Sequence, residues 1–385
     1  MGDRDDPIVR RAHVETDDPQ RAAAGLVAEL DAAPSLVVAF ASSSLDPDRV
    51  AAALAGAFPG VPLIGCTSWG ELGPAGDRRG SIAAMSITSP GLRVGLGLAR
   101  DLRGSALRSS RAAVGDAAAA LGVTPEQLDP ARHVGIALVD GRSGYEESFC
   151  LGSAATVPQL RMVGGSASDD LGAPTRARVF FDGRAWANAG VVALLETDLP
   201  FTVIESEHME PTDIRVVVTA ADPEHRRVLE LDGFPAARRY ASLIASLGGP
   251  PLDSVIASSF PFALYVGDRP YVRSVAVVDG DTLVFASAVD PGSVLRLMRP
   301  GDLVGETEAA FATAAAEVGG ELRAVIAFSC RGRHHESITR GTRPALTALY
   351  GRVPLVGFHS FGEQTGALLV NHTLTGLALG GRGDG

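Results

Sequence analysis

The feature that most constrains this chain is an internal repeat. Val61-Pro62-Leu63-Ile64-Gly65-Cys66-Thr67-Ser68-Trp69-Gly70-Glu71 returns near the other end as Val353-Pro354-Leu355-Val356-Gly357-Phe358-His359-Ser360-Phe361-Gly362-Glu363. A degenerate third copy, Met162-Val163-Gly164-Gly165-Ser166-Ala167-Ser168-Asp169-Asp170, follows Val157-Pro158 and carries Asp170 where the other two carry Glu. Repetition of this kind means a fold assembled from related units.

What precedes each copy repeats as well. Ser35–Ser42, His133–Asp140 and Arg323–Cys330 are apolar, β-branched runs ending in small or polar residues. Such runs suit strands buried on both faces. About 20–28 residues then lead to each motif, room for one helix and two loops, the size of a β-α-β crossover. Asp46-Pro47 supplies a helix start in the first unit, Asp capping and Pro just inside. The strand ends and the Gly-rich motifs therefore fall at one sheet edge, where open α/β sheets gather their ligand sites. The expected class is mixed α/β: two domains of mixed sheets with outer helices and repeated β-α-β units, an arrangement open to internal pseudo-symmetry.

Composition narrows the function. At 385 residues, the chain exceeds a single small core. No apolar run reaches the roughly 18 residues of a membrane span, and the acidic start is unlike a signal peptide. A net charge of −11 argues against a general nucleic-acid role, which shows a basic face. Cys66, Cys150 and Cys330 are few, odd in number and far apart, fitting a reducing cytoplasm without a disulfide framework. All 34 basic residues are arginine. A Walker-type P-loop, a kinase lysine and a Schiff-base lysine are thereby excluded.

In chain order, residues 1–15 are expected to be disordered and Asp18-Pro19 to cap a helix reaching Leu30. Ser81–Ile87 and Leu92–Leu98 read as a hairpin turning at Pro90-Gly91, and 110–121 as an Ala-rich helix. Asp182-Gly183 marks a second hairpin and Asp279-Gly280 a third. Helices over 303–318 and 343–349 flank the strand 323–329. A first domain is expected over 16–230 and a second over 231–379. The tail 380–385 is expected to be disordered, its Arg382-Gly383-Asp384 a chance match.

With these motifs in hand, the chain resembles the FIST family, its N-terminal and C-terminal domains in tandem. The N-terminal likeness rests on I-G-C-T-S-W-G-E-L at 64–72, L-V-D-G at 138–141, M-V-G-G-S-A-S-D-D at 162–170 and V-F-F-D-G at 179–183. The C-terminal likeness rests on A-F-S-C-R-G-R at 327–333, G-F-H-S-F-G-E at 357–363 and N-H-T-L-T at 371–375. The resemblance implies a free-standing, bacterial-type cytoplasmic sensory protein for a small ligand, an amino acid or a related polar metabolite, reporting to an unidentified signalling partner.

Two readings of the motifs stand side by side. In one, the glycines allow a tight strand exit with positive φ while the acid caps it or pairs with an Arg. In the other, Gly65, Ser68, Gly164, Gly165, Gly357 and Ser360 present N–H and hydroxyl groups to a carboxylate. Glu71 or Glu363 then takes an ammonium, with Arg142 and Arg333 nearby and Cys330 and Asn371 bordering the site. An enzyme is the competing class. His359-Ser360 resembles a hydrolase elbow, but Phe358 stands where the first Gly of G-x-S-x-G belongs. Cys330, beside Arg331, Arg333, His334 and His335, invites a thiolate reading, set against a half-buried strand end. Zinc through Cys330, His334, His335 and His359 lacks standard ligand spacing, so neither metal nor cofactor is expected. A scaffold without ligand is the third class.

Overall fold

The computed structural model describes residues 6–171 and 174–381. Residues 1–5 and 382–385, which hold parts of the expected disordered ends and the Arg-Gly-Asp tripeptide, lie outside the described residues.

The chain builds one module three times. The first has an outer strand Ile8–Glu15, helix Pro19–Glu29, a parallel pair Leu36–Ser42 and Leu63–Ser68 around helix Pro47–Ala57, a hairpin Glu71–Gly73/Gly76–Arg78, and a return strand Ser81–Thr88. The second runs through Arg93–Arg100, helix Leu102–Ala120, the pair His133–Asp140 and Met162–Ala167 around helix Glu146–Thr156, hairpin Val179–Phe181/Arg184–Trp186, and Ala189–Glu196. The third uses Phe201–Glu207, helix Leu303–Glu317, the pair Leu322–Cys330 and Leu355–Ser360, hairpin Glu363–Thr365/Leu368–Val370, and Thr373–Gly380. Its parallel pair is joined by helices Arg331–Thr339 and Arg343–Arg352.

Each module's sheet has the same order: outer strand, return strand, first parallel strand, second parallel strand, then a hairpin borrowed from another module. The first module's hairpin completes the third sheet, the second's completes the first, and the third's completes the second. The exchange closes a ring. The inner faces enclose one apolar core in which Phe40, Phe328 and Phe358 pack ring to ring. Burying an aromatic of this size contributes about 1.5–3 kcal/mol. Helices cover the outer faces with separate apolar clusters. The parallel strands are thus buried on both faces, as their β-branched runs require.

The third module carries an insertion over Met209–Pro300, a sheet of antiparallel strands with helix Ala236–Ser246. The position 230–235, where the sequence suggested a junction, lies inside it. Two expectations need correction. Residues 8–15 form a full edge strand paired with Ser81–Thr88, stabilised by main-chain bonds although only Ala12 is buried. Ser81–Thr88 and Arg93–Arg100 form no hairpin with each other but enter different sheets. Cys330 ends its strand as expected, and the helix Arg331–Thr339 follows at once. Among the described residues, no helix is long and apolar enough to cross a membrane.

Candidate functional site

The three motif copies meet at the C-terminal ends of the parallel strands. Main-chain bonds lock them together: Ser166 N to Gly362 O at 2.8 Å, Phe361 N to Ser166 O at 3.2 Å and His359 N to Gly70 O at 2.9 Å. Ser168 joins all three, its N–H donating to Thr67 O at 3.2 Å and its Oγ to His359 O at 2.5 Å, while accepting from Trp69 N at 2.8 Å.

The motif glycines are needed for closeness, not for a left-handed turn. None of Gly65, Gly164, Gly165 or Gly357 has positive φ. A Cβ on Gly65, Gly164 or Gly357 would stand 2.1, 1.8 or 2.2 Å from the carbonyl oxygen of Ala39, Ala137 or Ala327. One on Gly165 would meet the rings of Phe328 and Phe358. Their main chains lie within ladders: Gly65 opposite Phe180, Gly164 and Gly165 opposite Gln364 and Glu363, Gly357 opposite Leu72. The geometry offers no glycine nest for an anion.

The two acids are clamps. Glu71 accepts from Ser68 Oγ and from Ser81 through N–H at 3.1 Å and Oγ at 2.6 Å. Glu363 accepts from Ser360 Oγ at 2.6 Å and from Thr373 through N–H at 3.3 Å and Oγ1 at 2.8 Å. Each acid thus ties its motif serine to the start of its return strand, and both are fully buried. Burial pushes their carboxyls up to about 7 and about 8, opposed by those hydrogen bonds. Asp170 does not take the equivalent place; it is exposed and paired with Arg79 at 2.5 Å. Ser68, Glu71, Ser360 and Glu363 are thus buried and tied to one another within the fold, and none of them lines the cavity described below.

Arg333 is also fully buried, its Nη2 donating to Thr307 Oγ1 at 2.5 Å and its Nη1 3.3 Å from His208 Nδ1. Asn371 reaches Phe361 O at 3.4 Å and accepts from Ser287 Oγ at 3.2 Å, tying the motif loop to the insertion. Adjacent residues of a strand face opposite sides. Ser360 accordingly faces Glu363 while His359 faces Asp77, so they do not form a nucleophile and base.

A cavity of about 510 Å³ does open at this end of the ring, between the motif loops and the insertion. Its wall includes Gly141, Arg142, Cys330, Arg331, Gly332, His335, Phe361 and His372, faced by Arg226, Ser274, Val275 and Phe285 from the insertion. Of the residues expected from sequence, Arg142 and Cys330 line it. Arg331, His335, Phe361 and Arg226 were not expected there. The signal for Arg331 and His335 was their i, i+4 spacing, which sets them on one helix face away from Arg333; Arg331 Nε lies 3.0 Å from His335 Nε2.

Three arginines, Arg142, Arg226 and Arg331, line the cavity. Arg142 is partly offset by Asp169 at 3.4 Å, and Arg226 by Glu146 and Glu147. Arg331 donates to His335 Nε2 and to the Asp169 carbonyl and lies 4.6 Å over Trp69 and 5.9 Å from Phe361; among the described residues it makes no ion pair, though the charges of Asp170 and Asp169 act on it. Burial, then the charge of Arg331, pushes His335 down to about 4, leaving it neutral at neutral pH. Burial pushes the Cys330 thiol well above its ordinary value, the opposite of an activated nucleophile. Arg142 and Arg331 both belong to the motif-loop wall of the cavity.

The comparisons with known proteins agree with the sequence motifs. The FIST N domain matches residues 35–234 and the FIST C domain residues 236–365. An uncharacterized protein of Methanocaldococcus jannaschii is 30% identical over 163 residues, covering 39% of this chain and 30% of that relative. This chain therefore spans well under half the length of that relative. Among solved structures, the cyanuric acid hydrolase of A. caulinodans is similar at a TM-score of 0.36 and 11% identity, over 97% of this chain and 99% of that one. T. maritima PurL complexed with FGAR gives a TM-score of 0.22 at 12% identity, over 98% and 73%. Both scores are too low to bear on fold or activity. FIST domains are associated with sensory and signal-transduction roles. With its N and C domains in tandem along most of its length, the chain belongs to the FIST family.

Proposed function

We propose that this protein is a cytoplasmic sensor that binds a small carboxylate-bearing metabolite, an amino acid or a close relative, in the cavity at the end of the ring. The observation that carries the reading is Arg331, a half-buried cation that makes no ion pair among the described residues and shares its cavity wall with Arg142 and Phe361, opposite Phe285 of the insertion. Charge-assisted bonds to a carboxylate contribute about 1.5–3 kcal/mol each. The cavity suits a small molecule. Because one wall is motif loop and the other insertion, occupancy would change how the insertion sits, and an output protein could read that change.

A thermal-shift panel tests the proposal. Amino acids and their deaminated carboxylates should raise the melting temperature in a concentration-dependent way, whereas the matching amines and amides should not. A panel in which amines stabilise and carboxylates do not would overturn it.

A further inference from the structure

Beyond the cavity, on the far side of Trp69, lies a second cluster. Asp77, from the first module's hairpin, meets His334, of the helix Arg331–Thr339, and His359, of the strand Leu355–Ser360. All three are buried, His359 to 2% exposure. His334 Nδ1 lies 2.9 Å from Asp77 Oδ2, and His359 Nε2 lies 3.2 Å from Asp77 Oδ1. The second contact lacks hydrogen-bond geometry, so among the described residues Asp77 Oδ1 and both ring nitrogens of His359 are buried without a hydrogen-bond partner. Burying such groups unmatched is costly, so a ligand that satisfies them is favoured.

One donor atom from each residue lies within 4.8 Å of the others. Ligands about 2.0–2.1 Å from a shared ion stand roughly 3 Å apart, and each imidazole already stands at about that distance from one oxygen of the Asp77 carboxylate. We propose that Asp77, His334 and His359 form a binding site for a divalent transition ion such as zinc. Two imidazoles and one carboxylate favour that class over magnesium or calcium, which take oxygen ligands. Its place gives it a purpose. The ion would pin the exchanged hairpin of the first module to the third, across the seam between the FIST N and FIST C regions. Arg343 Nε, 3.3 Å from Asp77 Oδ2, is the built-in competitor and is exposed enough to withdraw.

The test titrates chelator-treated full-length protein with Co²⁺, followed by Zn²⁺ competition. The site predicts one equivalent of Co²⁺, visible d–d bands without thiolate charge transfer, displacement by Zn²⁺ and a raised melting temperature. Cys330→Ser should retain all of this, and His359→Gln and Asp77→Asn should lose it. Arg343→Ala should bind more tightly, because the competing cation is gone. Absence of one-equivalent binding in the wild type, or its retention in folded His359→Gln, overturns the proposal. Should His359→Gln fail to fold, Arg343→Ala decides: no tightening counts against the site.

Discussion

At the residue scale, the two motif acids that looked like ligand groups in the sequence sit as buried clamps. Glu71 and Glu363 each gather hydrogen bonds from two other residues in a dry setting, and that setting has a pH signature. Their folded pKa values, raised by burial to about 7 and about 8, exceed the unfolded value. Their contribution is then fully present below the unfolded pKa and is lost as pH rises through 7 to 8. Melting temperature should fall between about pH 7 and about pH 9, above the range in which His13, His208 and His335, held down to about 4 by burial, gain stability as pH rises; Glu71→Gln with Glu363→Gln should shrink that fall. Glu207, also pushed up to about 7 by burial, accounts for a remainder. A melting temperature that climbs over this range, or a double variant with the full wild-type fall, would contradict the clamp. The motif spacing made these acids visible in the sequence. It could not reveal their role, because partners such as Ser81 and Thr373 lie beyond the motif and are brought back only by the hairpin.

At the element scale, local signals were read well where partners are local. Apolar runs gave the parallel strands, Asp46-Pro47 gave its helix, and Asp182-Gly183 and Asp279-Gly280 turn where expected. They failed where pairing is distant. Ser81–Thr88 and Arg93–Arg100 carry hairpin-like sequence, yet each belongs to a different sheet, and no residue near Pro90-Gly91 records that choice. The polar strand Ile8–Glu15 shows little apolar alternation because an edge strand needs only its main chain. Asp77 was missed for the same reason: its partners His334 and His359 are far along the chain. The hairpin exchange makes a prediction of its own. A fragment of residues 6–234 keeps the hairpin Glu71–Arg78 but loses the third-module strand it extends, and Met162–Ala167 loses Glu363–Thr365. Its circular dichroism should show no cooperative melting; a sharp two-state transition would contradict the closed ring.

At the scale of the whole molecule, three modules share one apolar core and present their motif loops at one end, where the insertion covers an arginine-lined cavity. The repeat in the sequence announced the modules and the sheet edge that carries the site. The cavity itself was hidden, since its insertion wall belongs to no repeat. The central claim is that the ligand is held by the cavity arginines and not by the motif acids. Calorimetric titration of the best carboxylate from the panel into wild type, Arg331→Ala and Glu363→Gln tests it directly. Glu363→Gln mimics a carboxyl that burial already holds protonated near neutral pH, so its affinity should match wild type. Arg331→Ala should bind about 10–100-fold more weakly, the loss of one charge-assisted contact. The reverse pattern, with Arg331→Ala unaffected and Glu363→Gln impaired, would contradict the account and return the site to the motif.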